Sequence, residues 1–514
     1  MLAAIRSAAV IGIDAYDVTV EVDAANGLPQ WTVVGLAAGA VRESRERVMA
    51  ALVNSGFEVP PRRVTVNLAP ADTKKEGTAF DLPIALGLLV ATGQLGAEHV
   101  RDVAAIGELA LDGAIRPVRG VLPVARAMSH AAGHESAVTL LVPPGNVPEA
   151  RLVSDARLAA AATLREAVLA LRAGRLSPPD APPRAAAPRD AGPDLRDVVG
   201  QAHAKRALEI AAAGDHGLLL VGPPGAGKTM LARCIPALLP ALTEREALEV
   251  LAVHSVAGLL APDQAPAPVR PFRAPHHTIS AAGLIGGGPG PRPGEVSLAH
   301  LGVLFLDEML ELPRYVLDAL RQPLEDGHVV IARAAATVRY PARFTLVGAM
   351  NPCPCGHAGD GGARCVCTAA DIARYRARLS GPMVDRIDLH VTVSALPVRE
   401  LAARGTAESS RAVRERVERA RARQHGRHAR LGDAVTNGRV SGRWLATETP
   451  VAPDARELLA AAAERLGLSA RGYHRVLRVA RTIADLDGEV AIAAPHVAEA
   501  IRYRPAAAPG GTAA

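Results

Sequence analysis

Residues 217–230 read GLLLVGPPGAGKTM, and this stretch decides the fold of the chain around it. Its apolar start, Leu218–Val221, is typical of a buried parallel strand. The glycines and the Gly227-Lys228-Thr229 ending complete the phosphate loop G-x-x-x-x-G-K-S/T. In such a loop, backbone N–H groups and the amino end of the next helix surround phosphate oxygens. The stretch therefore predicts a strand, a loop and a helix that together hold a nucleotide.

The phosphate loop predicts both a nucleotide and its metal ion. Lys228 is expected to reach the β- and γ-phosphates of ATP, and the Thr229 hydroxyl is expected to ligate Mg²⁺. A lysine ammonium suits a phosphate because it acts as a compact point charge. The residues expected to bind the nucleotide are Gly222, Pro223, Pro224, Gly225, Ala226, Gly227, Lys228, Thr229 and Met230.

Two further strands are expected to bring polar side chains to the same place. The apolar run Val303–Leu306 ends in Asp307 and Glu308, and a strand predicted over residues 344–349 ends just before Asn351. Parallel α/β sheets bind ligands at the carboxyl ends of their strands. We therefore expect Asp307 to hold Mg²⁺ and Glu308 to polarise the attacking water. Asn351 is expected to hydrogen-bond that water or the γ-phosphate.

Four segments carry a family resemblance: DVVGQAHAKRALEIAAAGDHGLLLVGPPGAGKTMLA, RPFRAPHHTISAAGLIGGGPGPRPGEVSLAHLGVLFLDE, YPARFTLVGAMNPCPCG and LSGPMVDRIDLHV. They resemble the YifB/ComM family of magnesium-chelatase-like AAA+ ATPases, and the resemblance covers nearly the whole chain. It implies an α/β fold in which an AAA+ P-loop ATPase core carries a helical lid. It also implies a homo-oligomer, a hexameric ring with each nucleotide held between neighbours.

The resemblance also assigns two arginines to the nucleotide. Arg386, in GPMVDRID, matches the arginine finger that one subunit offers to the nucleotide of the next. Arg471, in SARGYHRVLRVARTIADL, matches the second sensor, and Arg475 and Arg478 lie nearby on the same predicted helix. A planar guanidinium can neutralise charge that develops on a transferred phosphoryl group.

The first unit, residues 1–173, is predicted to be an α+β domain. Alternating stretches at 18–22 and 64–68 predict strands, whereas residues 41–55 and 82–91 predict helices. The segments KKEGTAFDLPIALGLL and GELALDGAIRPVRG resemble the Lon-type proteolytic domain. In active Lon-type domains a serine nucleophile occupies the position of Ala79, and a lysine follows the second segment. Both are missing here, so the domain is predicted to be non-proteolytic.

The rest of the chain divides by composition. Residues 174–194 form a linker rich in proline and alanine, which is expected to be extended. Residues 195–397 form the predicted ATPase domain, and residues 398–505 are predicted to form the helical lid. Residues 506–514, which read AAAPGGTAA, are expected to be disordered.

A cysteine cluster lies just after Asn351. Cys353, Cys355, Cys365 and Cys367 form two C-x-C pairs that flank a glycine-rich spacer. Four thiolates can hold tetrahedral Zn²⁺, although C-x-C is tighter than the usual C-x-x-C spacing. The alternative is a loop of four reduced cysteines without metal. The adjacent pair His276-His277 is interpreted as structural.

Two elements are expected to contact DNA. Residues 280–295 form a loop rich in glycine and proline, and residues 329–340 predict a hairpin. In ring helicases of the branch that the chain resembles, both elements line the central pore. Arg292 and Arg333 lie near their tips and are expected to contact phosphates without reading sequence. An aromatic content of 3% argues against base stacking as the main mode of binding.

Composition limits the number of domains, the kind of partner and the cellular location that can be expected. The 514 residues, 21% of them charged, suggest a soluble protein of two to four domains. The net charge of +6 and the calculated pI of 9.3 permit a nucleic-acid partner. The cysteine usage argues against a disulfide framework, and no signal or membrane segment is evident. A cytoplasmic location without a membrane partner is therefore expected.

The resemblance implies a hexameric ATPase that translocates on DNA and drives branch migration during natural transformation. One alternative is a chelatase-type ATPase that remodels a protein partner, and another is a nucleotide-dependent scaffold. DNA-stimulated ATP hydrolysis would favour the first function over both alternatives.

Overall fold

A computed structural model describes residues 2–130, 138–176, 192–262, 264, 266–288, 290–333, 336–359, 364–395, 408–431 and 435–504. Most of the expected linker at 174–194 lies outside these described residues, as do the start of the expected lid at 398–407 and the expected tail at 506–514.

The first unit is built on a seven-stranded mixed sheet with the order β3-β4-β2-β1-β5-β8-β9. Its strands, together with the small β6–β7 hairpin, are β1 Leu2–Ile11, β2 Asp14–Ala25, β3 Gln30–Val34, β4 Arg63–Ala69, β5 Val103–Ala105, β6 Glu108–Leu109, β7 Ile115–Arg116, β8 Thr139–Val142 and β9 Arg157–Ala160. Its helices are α1 Gly39–Arg42, α2 Ser44–Asn54, α3 Asp81–Ala91, α4 Val121–His130, α5 Val147–Ala150 and α6 Leu164–Arg172.

The core of this unit lies between the sheet and α3. Alternate residues of β2 are buried, as the period of two requires when one face of a sheet is covered. Every residue of α3 is buried, and a Cβ on its Gly87 would lie 2.6 Å from the Val22 side chain. Glycine therefore lets the helix approach the sheet closely. The predicted strands at 18–22 and 64–68 are confirmed, whereas the helix predicted over 41–55 is split into α1 and α2.

The second unit contains a five-stranded parallel sheet. Its elements are α7 Ala202–Gly214, β10 Leu218–Val221, α8 Lys228–Leu238, α9 Glu244–Ala257, β11 Phe272–Arg273, α10 Ala281–Ile285, β12 Gly286–Gly287, β13 Arg292–Pro293, α11 Glu295–Leu298, β14 Val303–Leu306, α12 Arg314–Ala319, α13 Arg321–Asp326, β15 His328–Arg333, β16 Ala336–Pro341, β17 Thr345–Met350, α14 Ala369–Arg376, α15 Gly381–Val384 and β18 Leu389–Thr392.

The direction of these strands positions the candidate site. The sheet order is β11-β14-β17-β10-β18, and every neighbouring pair is parallel. The strands predicted before the phosphate loop, the acidic pair and Asn351 are therefore confirmed as β10, β14 and β17. Because they run in the same direction, their carboxyl ends lie along one edge of the sheet.

The described residues after 408 fold into helices, as their sequence predicts. These are α16 Ser410–His428, α17 Gly442–Glu448, α18 Pro453–Leu466, α19 Ala470–Asp487 and α20 Ala494–Arg502. They share one apolar core with β10, α7 and α8, in which Val417 and Leu477 lie with Leu220. No described helix has an apolar stretch long enough to cross a bilayer.

The first and second units also touch each other. Leu122 of α4 is buried in a small apolar cluster with Leu251 and Ala252 of α9. Beside this cluster, the Ser255 hydroxyl donates a hydrogen bond to the carboxylate of Glu149, which is itself buried. The first unit is therefore fixed against the helix that precedes β11.

Candidate nucleotide-binding site

The phosphate loop has the backbone that its glycines predict. Gly225 and Gly227 adopt φ angles of +75° and +87°, which disfavour residues with a side chain. Gly227 is also the N-cap of α8, so the helix begins at Lys228 and directs its free N–H groups towards the loop. A Cβ on Gly222 would lie 2.2 Å from the carbonyl oxygen of Val393, so β18 and the loop are in close contact.

The other residues of the loop differ in exposure. Pro224, Gly225 and Met230 are exposed, whereas Ala226 is buried, and Pro223 and Thr229 are half-buried. The apolar and backbone parts of the loop thus anchor it, while its outer face remains open to a ligand.

Lys228 is held among oxygen acceptors. Its Nζ donates to the carbonyl oxygens of Gly222 and Pro223 at 2.6 and 2.9 Å and to Oδ1 of Asn351 at 3.2 Å. Burial lowers the pKa of the Lys228 ammonium, and the carboxylates of Asp307 and Glu308 oppose that shift. The direct acceptors of Nζ are neutral carbonyl and amide oxygens, so a phosphate oxygen can replace one of them and supply the negative charge that the buried ammonium lacks.

The acidic pair lies across from the loop. The Thr229 hydroxyl donates to Oδ2 of Asp307 at 2.8 Å, so the two groups expected to hold Mg²⁺ are already adjacent. Hydroxyl and carboxylate oxygens are the donors that Mg²⁺ prefers. Phosphate-sized ligands and Mg²⁺ therefore fit the groups present, with Lys228 for the phosphates and Thr229 and Asp307 for the metal.

Glu308 has an unusual backbone and an unexpected neighbour. Its φ angle is 47°, in the left-handed region that few non-glycine residues adopt. Its Oε2 lies 3.1 Å from Nδ1 of His277. The sequence interpretation, which treats His276-His277 as structural, misses this contact. The parallel pairing of β11 with β14 brings the histidines to the edge where Glu308 lies, but β11 has only two residues and is too short to show a pattern of its own.

The two arginines assigned by resemblance lie in a different place. Arg386 and Arg471 line one cleft, with a volume of about 310 Å³, together with Gly217 and Phe344. Gly217 precedes β10 and Phe344 precedes β17, so this cleft opens at the amino edge of the sheet. A strand advances about 3.3 Å per residue, which puts the cleft roughly 15 Å from the phosphate loop of the same chain.

The cleft carries an excess of positive charge. Its lining includes three carboxylates, Asp215, Glu325 and Asp388, against five arginines, Arg386, Arg439, Arg471, Arg475 and Arg478. Arg471 is exposed and has no ion-pair partner among the described residues. The buried Nε atoms of Arg386 and Arg478 also have no hydrogen-bond partner within the described part of the chain. Arg386 already pairs with Glu325 and donates to the carbonyl oxygen of Pro382 at 2.8 Å, so the exposed Arg471 is the guanidinium suited to receive a further anion.

Asp388 orients part of this cleft. Its carboxylate accepts from Arg475 at 3.0 Å and lies 2.9 Å from Nδ1 of His216. Burial would raise the pKa of Asp388, but His216, Arg475 and Arg478 outweigh it and hold that pKa well below its usual value. The carboxylate therefore stays charged and fixes Arg475, which the sequence indicated only as a neighbour of Arg471 on the same predicted helix.

The four clustered cysteines lie close enough together to share a metal ion. Their sulfur atoms all lie within 4.8 Å of one another, and three of the separations are 3.4, 3.7 and 3.8 Å. Tetrahedral Zn²⁺ with Zn–S bonds of about 2.3 Å needs sulfur atoms about 3.8 Å apart, whereas a disulfide would need about 2.05 Å. The geometry therefore fits zinc better than a disulfide.

The cysteine cluster is joined to the phosphate loop. Cys353 follows Asn351 by two residues, and a Cβ on Gly356 would lie 2.8 Å from the ring of Pro224. Gly356 has a φ angle of +86°, so glycine is favoured there on both grounds. The segment that contains the cluster thus packs against Pro224 of the loop that is expected to hold phosphate.

The two elements expected to contact DNA lie side by side. The hairpin predicted over residues 329–340 is confirmed as β15–β16, and Arg333 is the last residue of β15. The predicted loop at 280–295 contains α10 and the β12–β13 hairpin, in which Arg292 is exposed. The Tyr340 hydroxyl donates to the carbonyl oxygen of Pro291 at 2.6 Å and so ties the two hairpins together.

Three segments of the chain match families derived from magnesium chelatase. Residues 194–401 match the family described as Magnesium chelatase, subunit ChlI, and residues 20–146 match Subunit ChlI of Mg-chelatase. Residues 407–504 match Magnesium chelatase, subunit ChlI C-terminal. The parallel sheet, the phosphate loop and these matches define a P-loop protein of the magnesium-chelatase type.

Proteins that match nearly the whole chain identify the family within this class. The chain is 46% identical over 512 residues to competence protein ComM of Haemophilus influenzae, covering 98% of this chain and 97% of that protein. It is 42% identical over 514 residues to the uncharacterized protein YifB of Escherichia coli, covering 98% of this chain and 97% of that protein. It matches the magnesium-chelatase 38 kDa subunit of Rhodobacter capsulatus over only 174 residues, 30% of this chain and 49% of that protein, at 33% identity. The chain belongs to the YifB/ComM family of magnesium-chelatase-like AAA+ ATPases.

Proposed function

We propose that the protein hydrolyses ATP and uses the energy to move along DNA. The observation that carries the ATPase proposal is the convergence of Lys228, Thr229, Asp307 and Asn351 at one sheet edge, with Glu308 beside them. Lys228 binds the β- and γ-phosphates, and Thr229 and Asp307 hold Mg²⁺, which neutralises phosphate charge when bound. Glu308 accepts a proton from the attacking water, and Asn351 orients that water.

Two substitutions test ATP binding and ATP hydrolysis separately. Lys228→Ala should abolish ATP binding because the phosphates lose their buried cation. Glu308→Gln should bind ATP with little change yet hydrolyse it about 10²- to 10⁴-fold more slowly, because an amide cannot accept the proton. Titration with a fluorescent nucleotide measures ATP binding by each variant, and steady-state phosphate release measures its rate of ATP hydrolysis. Hydrolysis by Glu308→Gln at the parent rate would remove Glu308 from this role.

The cleft that contains Arg386 and Arg471 acts on the nucleotide of a neighbouring subunit. The cleft lies at the amino edge of the sheet, roughly 15 Å from the phosphate loop of the same chain, which supports action on a nucleotide held by a neighbour. The exposed side chain of Arg471, which forms no ion pair with another described residue, supports an anion supplied from outside the chain. A closed ring, a hexamer by family resemblance, lets every subunit give and receive these arginines. The helices after residue 408 form the lid that carries Arg471.

Mixing experiments test this arrangement. Arg386→Ala and Arg471→Ala should each bind ATP but lose most hydrolysis, about 10³-fold or more for the finger. Each should regain activity when mixed with Lys228→Ala, because that variant still donates both arginines. Mixtures of Arg386→Ala with Arg471→Ala should stay inactive, since every interface lacks one arginine. Activity in this last mixture would show that Arg471 acts within its own chain.

The proposed substrate is DNA, along which the protein moves, and the proposed reaction is branch migration during natural transformation. The β12–β13 and β15–β16 hairpins, with Arg292 and Arg333, are tied together by Tyr340. The β15–β16 hairpin continues after three residues into β17, which ends just before Asn351. A change at the γ-phosphate, if it moves Asn351, can therefore reach the proposed DNA contact through the single strand β17. A family member that remodels only a protein partner would show no DNA-dependent change in ATP hydrolysis.

Arg333→Ala tests the DNA contact. It should weaken binding similarly for all DNA sequences and flatten the salt dependence by about 1 in log–log slope for each phosphate that no longer pairs with an arginine. DNA-free ATP hydrolysis should survive, while its stimulation by DNA should fall. Arg339→Ala is the matched control, because it removes the same charge near the base of the same hairpin, where Arg339 contacts His328. Unchanged affinity, slope and stimulation in Arg333→Ala would exclude it from the pore.

Zinc is the metal ion proposed to be held by Cys353, Cys355, Cys365 and Cys367. The separations between their sulfur atoms support this site. Protein purified without chelator should carry about one zinc per chain by elemental analysis. Cys365→Ser should lose this zinc, whereas Cys234→Ser, which changes a buried thiol in α8, should keep it. Absence of metal from the parent protein, or full zinc in Cys365→Ser, would contradict the site.

The first unit is proposed to have the Lon-type fold without proteolysis. Ala79 lines a cleft of about 950 Å³ between this unit and the β12–β13 and β15–β16 hairpins, next to Thr78 and Glu108. An alanine at this position offers no hydroxyl to attack a peptide carbonyl. Contact with the hairpins supports a role in holding the proposed pore elements, since Gly12 lies against the backbone of Arg339.

A further inference from the structure

The cleft of about 950 Å³ between the first unit and the hairpins, which we call the interdomain cleft, has a lining from both units. The first unit contributes residues 8–12 at the end of β1 and most of the loop 73–80. The opposite wall contains the turn of β12–β13 and Arg292, the exposed arginine already proposed to contact DNA. Ligand pockets in proteins span roughly 300–1,000 Å³, so the interdomain cleft is at the upper end of that range.

The two walls of the interdomain cleft touch each other directly. A Cβ on Gly12, in the β1–β2 turn, would lie 3.0 Å from the carbonyl oxygen of Arg339 in β16. A Cβ on Gly290, in the β12–β13 turn, would lie 2.5 Å from Oε2 of Glu76 in the first unit. Glycine at these two positions therefore lets both hairpins approach the first unit closely. The contacts fix the first unit beside the proposed DNA elements.

The interdomain cleft has a positive charge that its own residues do not neutralise. Three exposed basic side chains line it, Lys74 and Arg119 from the first unit and Arg292 from β13. The two carboxylates of the lining, Glu76 and Glu108, already accept hydrogen bonds from side chains of the first unit. Neither arginine forms an ion pair with another residue in the part of the chain that the structure describes. The lining therefore attracts a polyanion from both walls.

Arg119 is held in place by the helix that it crosses. Gly258, with a φ angle of +73°, ends α9, and a Cβ there would lie 2.5 Å from Nε of Arg119. The arginine thus lies against the carboxyl end of a helix, where the helix dipole favours a cation. The next residue, Gly120, donates its backbone N–H to the carbonyl oxygen of Ser255 at 3.3 Å. Arg119 is consequently positioned at the cleft while it remains exposed.

We propose that the interdomain cleft binds the backbone of one DNA strand, between Arg292 on one wall and Arg119 and Lys74 on the other. This inference rests on the proposed function, because it takes DNA as the ligand of Arg292. Phosphates recur along a strand, so cations on both walls can pair with neighbouring phosphates. The volume admits a few nucleotides of a single strand but not a duplex, whose major groove alone is about 12 Å wide. The rings of Phe80 and Tyr340 are buried, so phosphate contacts rather than stacked bases hold the strand.

Binding of a fluorescein-labelled oligothymidylate to the full chain, measured over a salt series with a non-hydrolysable ATP analogue, tests the site. Arg119→Ala should weaken binding several-fold and lower the log–log salt slope by about 1 for each phosphate that loses its arginine. Arg119→Glu should weaken binding further, whereas Arg119→Lys should retain most of the affinity. DNA-free ATP hydrolysis should be unchanged in all three variants. Arg157→Ala is the matched control and should bind as the parent does, because Arg157 is an exposed arginine on β9, the outermost strand of the same unit.

Lysine footprinting tests the position of the strand independently of affinity. The chain contains only four lysines, of which Lys74 is exposed at the cleft and Lys205 is half-buried on α7, away from it. The oligonucleotide should slow the acetylation of Lys74, measured by mass spectrometry, and leave that of Lys205 unchanged. Arg119→Glu, at an oligonucleotide concentration that saturates it, should lose this protection.

The outcomes separate this inference from the proposed function. If the parent protein does not bind the oligonucleotide, the DNA-translocation proposal fails and the strand site fails with it. If Arg292→Ala weakens binding while both Arg119→Ala and Arg119→Glu bind as the parent does and Lys74 stays unprotected, DNA binding stands and the strand site is refuted. Binding of poly-glutamate that depends on Arg119, together with oligonucleotide binding that does not, would assign the cleft to an acidic polypeptide and overturn the inference.

Discussion

The common direction of five strands is the constraint on which the candidate site depends. Parallel strands gather their carboxyl ends at one edge, so residues far apart in sequence, such as Lys228, Asp307 and Asn351, lie together there. The same geometry places Arg386 and Arg471 at the other edge. The two edges therefore carry separate sets of charged side chains, one around the phosphate loop and one around the arginine cleft.

The two edges of the sheet differ in the charged groups that they carry. At the carboxyl edge, carboxylates and carbonyl oxygens surround the single ammonium of Lys228. At the amino edge, arginines outnumber carboxylates, and Asp388 remains charged because His216 and Arg475 hold it in that state. The carboxyl edge therefore combines a cation for phosphate with carboxylates for a metal ion, whereas the amino edge has the net positive charge that attracts an anion.

The sequence predicted the parts of the site that follow long apolar runs. Leu218–Val221 and Val303–Leu306 are buried strands whose pattern is local, so the phosphate loop and the acidic pair could be placed at their ends. His277 could not be found in this way, because β11 consists of two residues and gains its strand character only from pairing with β14. The arginine cleft likewise depends on how α19 packs against the sheet, and periodicity within one helix carries no information about that packing. The cysteines were predicted as a group, but only their sulfur separations distinguish a metal geometry from a disulfide.

Strand β18 connects the two edges over a very short distance. Asp388 of the arginine cleft immediately precedes it, and Val393 just after it touches Gly222 so closely that no Cβ fits between them. Hydrogen bonds from Leu389 to Gly217 and from Val393 to Val221 hold both ends of this strand to β10. β18 is the outer strand of its sheet, but Leu389 and Val391 are buried and the strand is paired with β10 along its whole length, which makes it stiff. Movement of the phosphate loop would therefore be transmitted through these four residues to Asp388 and to the arginine that it holds, Arg475, at the opposite edge of the same sheet.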